Sequence, residues 1–93
     1  MISWMHIIEE DYRTCKDAKV RMMFNYYEQN LKPKIKNLVN KQTNGKGIYY
    51  EAWIDLTDYF IPDNYEKLRQ LDFDKAAELC VNYMIEREQK YYS

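Results

Sequence analysis

His6, the only histidine, has Glu10 four residues on, a spacing that places both on one face of a helix. Two such groups do not make a metal site, which needs further ligands in a defined geometry, and no third ligand is fixed by spacing. Nor does any spacing supply His6 with a nucleophile or a paired acid to make it a catalytic base. Asn44-Gly45-Lys46-Gly47 is a glycine-bearing loop without the spacing of a phosphate-cradling P-loop. The chain has no serine elbow and no His-Glu-x-x-His motif. The expectation is a protein that is not an enzyme, with no catalytic residue, no metal and no cofactor.

What the residues offer instead is binding. The chain has 10 Tyr, 3 Phe and 2 Trp, with Tyr doublets at 26–27, 49–50 and 91–92. A 93-residue domain has too little interior to bury fifteen rings easily. Each buried phenol also needs a hydrogen-bond partner. Several rings are therefore expected half out of water, where Tyr is enriched at interfaces. Tyr26, Tyr27, Tyr49, Tyr50, Trp53, Asp55 and Tyr59 form the expected protein-binding set. Around them, Glu51, Asp55, Asp58 and Asp63 fall near a four-residue spacing, with Trp53, Tyr59 and Tyr65 between. On a helix this puts carboxylates on one flank and aromatics on another, a surface suited to cover a basic groove.

Charge supplies a second candidate. Residues 1–30 are nearly neutral, residues 31–47 carry five lysines and no acid, and residues 48–93 carry ten acids against five bases. Lys32, Lys34, Lys36, Lys41 and Lys46 could hold a phosphate backbone by charge alone. Asn44, Tyr49 and Tyr50 lie beside them for hydrogen bonding or base stacking. No Arg, the usual reader of base edges, occurs between Arg21 and Arg69. The overall charge of −1 excludes a uniformly basic nucleic-acid binder.

Elements that could position these residues follow from periodicity. Gly and Pro occur twice each, and such scarce punctuation favours a compact, mainly α single domain over residues 1–93. Four or five helices are expected, with a short strand near 48–56 as the open alternative. Phe73, Ala76, Ala77, Cys80, Tyr83, Met84 and Arg87 share one helical stripe, with Asp72 or Asp74 at its start. Asp63 to Glu66 fits a capping box before a short helix ending near Leu71. The first third is helical, and Asp17 is placed to cap a second helix there; one helix or two remains open. Pro33 is tolerated in a first turn, so a helix from Lys34 to about Gln42 would carry Ile35, Leu38 and Val39 inward. Met22, Met23, Phe24, Tyr26 and Tyr27 cannot all share one side, so some must face out or meet a partner.

The remaining features bound the setting. Cys15 and Cys80 read as two buried thiols of a reducing cytoplasm. The apolar start lacks a positive flank and runs at once into Glu9, Glu10 and Asp11, so neither a signal peptide nor a membrane span is expected. Abundant Tyr, Ile, Asn and Lys suggest an AT-rich genome. Together these point to a small interaction protein, such as an inhibitor or adaptor of phage or mobile-element type, acting on a host protein through an aromatic and acidic surface. A homodimer is a further way to cover exposed rings. The alternative is a small DNA- or RNA-binding regulator that uses residues 32–46.

Overall fold

The computed structural model describes residues 4–92, with side chains placed for residues 9–91. His6 lies outside the placed side chains, so its proposed pairing with Glu10 does too. The elements in chain order are α1 (Trp4–Arg13), α2 (Ala18–Tyr26), a π-turn (Tyr27–Leu31), α3 (Lys32–Gln42), α4 (Tyr50–Tyr59), α5 (Tyr65–Arg69) and α6 (Phe73–Tyr92). No strand forms among the described residues. The mainly α expectation holds, and residues 48–56 form a loop and the start of α4.

The first third is two helices. Asp17 caps the second, its Oδ1 accepting from Lys19 N at 2.9 Å and Val20 N at 3.4 Å. From there the backbone stays helical through Gln42. The expectation of a separate helix beginning near Pro33 is corrected here. Proline has no N–H, and its ring clashes with the carbonyl four residues back. The chain widens into a π-turn just before it, with Lys32 N donating to Tyr27 O, five residues back. An i to i+5 turn uses one residue more than an α-turn. Phe24, Tyr27, Leu31, Ile35 and Val39, three or four residues apart, line one buried face of this continuous run.

α3 ends at the expected loop. Asn44, Gly45 and Gly47 all have positive φ, and Gly45 N donates to Asn40 O at 2.9 Å. A side chain at Gly47 would meet no neighbour, so glycine is needed there for its backbone and not for space. α4 and α5 are separated at Ile61, whose extended backbone (φ −113°, ψ 128°) suits a residue preceding proline. The expected capping box is not formed. Asn64, not Asp63, is the cap residue of α5, and its side chain instead donates to Tyr59 O at 2.6 Å. Asp72 does cap α6, accepting from Lys75 N at 2.8 Å.

α6 is the central element and packs against α3, α4, α5 and the π-turn. It buries Ala76, Ala77, Cys80, Val81 and Met84. Small residues at 76 and 77 let Phe60, Leu56 and Ile35 fill the same core. Burial pushes the Cys80 thiol up to about 12, whereas Cys15 is only half-buried, and both are free. The core also contains packed rings: Tyr27 lies 5.3 Å from Phe60, tilted by 42°, and Phe60 meets Tyr65 edge-on at 5.8 Å.

α1 is held by charge as well as by packing. The buried Glu9 carboxylate accepts from the Lys32 ammonium and, at 3.3 Å, from Arg13. Arg13 also pairs with Glu28 and lies over the Phe24 ring at 5.6 Å. Removing one member of a buried pair strands the other charge. Glu9→Ala is therefore expected to cost roughly 2–4 kcal/mol in denaturant melts, and Glu9→Leu with Lys32→Met less than Glu9→Ala alone.

Burial holds the Tyr27 and Tyr12 phenols above their usual range, with Asp58 adding to the rise at Tyr12. Their folded pKa values exceed the unfolded ones, as does that of Cys80. The stabilisation is complete below the unfolded values and is lost as pH rises through the folded ones. The melting temperature should be level from pH 7 to about 9 and fall above about pH 10, less steeply in Tyr27→Phe. A melting curve that stays level to pH 11 would contradict this.

Candidate functional site

α4 buries Ala52, Trp53, Leu56 and Thr57 and turns Glu51, Asp55 and Asp58 outward at steps of four and three residues, with Tyr59 four residues beyond Asp55. α6 buries one side and turns Leu79, Tyr83, Arg87 and Tyr91 outward, each four residues from the last. The two helices run antiparallel, so these stripes meet as rungs. Tyr59 stacks on Tyr83 with ring centroids 4.0 Å apart and planes 21° from parallel. One turn along, Arg87 Nε donates to Asp55 Oδ2 at 3.0 Å. The Tyr91 hydroxyl donates to the same oxygen at 2.9 Å.

Arg87 completes the seam. Its guanidinium lies 6.0 Å from the Tyr83 ring and 5.9 Å from the Tyr91 ring. The hydrogen bond to Asp55 is the largest cause of its raised pKa. Burial raises the Tyr83 phenol, with Arg87 opposing. On the far flank of α4 the Tyr12 hydroxyl of α1 donates to Asp58 Oδ1 at 2.6 Å. The result is a row of rings and charges already fixed in position: Leu79 is 41% exposed and Tyr91 49% exposed at its two ends. From Leu79 to Tyr91 the row runs about 18 Å along α6.

The expected protein-binding residues divide. Tyr59 and Asp55 lie in the seam. Tyr49 and Tyr50 are exposed at the start of α4, near Glu88, which accepts from Tyr49 N at 3.0 Å. Tyr26 is half-buried, edge-on to Tyr65 and Phe73. Tyr27 and Trp53 do not belong: at 1% and 8% exposure they are core residues, and no partner can reach them in this fold. Tyr83, Arg87, Leu79 and Tyr91 were missed as surface residues. Tyr83 and Arg87 fall on the apolar stripe of α6, where they look like core.

The lysines do not form one face. Lys32 points inward to Glu9. Lys34 pairs with Asp74 at 2.9 Å, and together with Lys41, Asn37 and Glu78 it borders a shallow groove of about 380 Å³ between α3 and α6. Lys36, on α3, and Lys46, in the glycine loop, are exposed. A second, open groove of about 600 Å³ lies under the glycine loop, lined by Gln42, Asn44, Lys46, Tyr49 and Glu88. Among the described residues no cluster of His, Cys, Asp or Glu could hold a metal ion, and no helix is long and apolar enough to cross a membrane.

No protein-family model matches the chain, and no curated protein or solved structure is significantly similar to it. The site therefore has to be judged on its own geometry. Because the seam lies at the edge of the core, with Tyr83 only half-buried against it, Tyr83→Ala and Arg87→Met should keep wild-type circular dichroism and each cost about 1 kcal/mol in denaturant melts. Phe60→Ala, which opens a cavity in the core, should cost about 3–5 kcal/mol by the same melts.

Proposed function

We propose that this protein is a small non-enzymatic binding module that docks a protein partner on the α4–α6 seam. The observation that carries the reading is the ordered row of Tyr59, Tyr83, Arg87 and Tyr91. Tyr and Arg dominate binding energy at protein interfaces, and side chains already held in place lose little entropy on binding. Hydrogen bonds and ring stacking hold these four before any partner arrives. An inhibitor or adaptor role fits such a surface, and two unpaired cysteines fit a reducing compartment such as the cytoplasm.

The nucleic-acid alternative is the weaker reading. Lys32 and Lys34 each engage a carboxylate of their own chain, and Lys36 and Lys46 lie on different elements. Phosphate tracking needs lysines that converge on one groove.

The test is capture from cell lysate with wild type, Tyr59→Ala/Tyr83→Ala, and Lys34→Glu/Lys36→Glu/Lys41→Glu. A protein held near one-to-one by wild type and by the lysine variant, and lost from the tyrosine variant, is the expected outcome. Retention by the tyrosine variant would remove the seam as the site. Nucleic acid released at low salt, and absent from the lysine variant, would favour the alternative.

A further inference from the structure

Resting on the seam as the docking site, we infer that its occupant is a basic amphipathic helix of another protein, with aliphatic or aromatic anchors along one face and Arg or Lys beside them. Shape argues for a helix. Two antiparallel helices present a straight row about 18 Å long, which a third helix of about twelve residues can follow, reading it at its own i, i+4, i+7 positions.

Charge complementarity argues for a basic occupant. Residues 48–66 hold five acids and no Lys or Arg, and three of those acids, Glu51, Asp55 and Asp58, are on the outer side of α4. Both donors to Asp55 converge on Oδ2, so Oδ1 keeps acceptor capacity. Tyr12 bonds Oδ1 of Asp58, whose other oxygen lies on an exposed residue. Asp55 and Asp58 are one turn apart on the same helix, with Tyr59 beside them. An arriving guanidinium can donate to both carboxylates' remaining oxygens and lie against a tyrosine face, while Leu79 and Tyr83 take its apolar neighbours. Arg87, fixed on Asp55, keeps that carboxylate from turning away.

A second copy of this chain fits less well as the occupant. Its α3 exposes Lys36, Asn37, Asn40 and Lys41 but no large apolar side chain, and its nine-residue α2, with Lys19 and Arg21, exposes Met22 as its one large apolar side chain and is shorter than the row.

The experiment is to pan a display library of 16-residue helix-forming peptides on immobilised protein in 0.1 M salt, discarding those that also bind Tyr59→Ala/Tyr83→Ala. Peptides rich in Arg or Lys together with Leu or aromatics are expected. Their affinity should fall about tenfold or more on Asp58→Asn/Glu51→Gln, both of which keep the size of the side chain, and should fall further as salt rises. Seam-dependent peptides that are neutral or acidic would overturn the basic occupant and leave the docking site intact. Failure to recover any peptide that depends on Tyr59 and Tyr83 would count against both. A protein that doubles its mass in solution, and is returned to a monomer by Tyr83→Ala, would replace the foreign helix with a second copy.

Discussion

The fold turns on one missing hydrogen-bond donor. Pro33 sits inside a helical run from Ala18 to Gln42, where it cannot donate and its ring cannot sit above an ordinary α-turn. The π-turn at Tyr27–Leu31 absorbs this. Along the run Phe24 and Tyr27, and then Leu31, Ile35 and Val39, enter the same core. Within the same run Lys32 pairs with Glu9 of α1. α1 is thus tied to the middle of the chain, and Tyr12 of α1 is brought to Asp58 on the flank of the seam.

From that anchored pair of helices the rest is assembled by α6. One of its sides is small and apolar and lets α3, α4 and the π-turn approach closely. Its other side carries larger groups that lie at the edge of α4. The same helix therefore builds the core and supplies half of the seam. That economy explains why the seam is rigid: moving Tyr83 or Arg87 means moving a helix whose neighbouring positions, Val81 and Met84, are fully buried.

Much of the fold was legible in the residues. Asp17 and Asp72 were readable as caps because an acid preceding a periodic run satisfies orphan N–H groups whatever the tertiary context. The first of these marked where a break between α1 and α2 could fall, but its residue type left one helix or two open. The π-turn was not legible, because Pro33 is equally compatible with a fresh helix start, and only the burial of five residues on one face separates the two. The capping box failed because the helix starts one residue later than it requires, with Asn64 at the cap in place of Asp63 and the Asn64 amide donating to Tyr59 O. For the site, the reading of Glu51, Asp55 and Asp58 as one acidic flank depended only on α4 being helical. Trp53 was placed on that surface although the same helical template stacks it inward with Ala52 and Leu56. Tyr83 and Arg87 were hidden for the opposite reason: a wide apolar stripe cannot show where its edge meets water.

The two cysteines sit at unlike depths, and this gives the molecule a built-in pair of clocks. Cys15 occupies the turn between α1 and α2, half open to solvent, so its labelling would run in the native fold and report the local looseness of that turn. Cys80 lies fully buried in the middle of α6, so a reagent can reach it only when the helices part. Following both thiols in one sample would separate the looseness of a single turn from the opening of the whole domain, without any foreign probe being introduced.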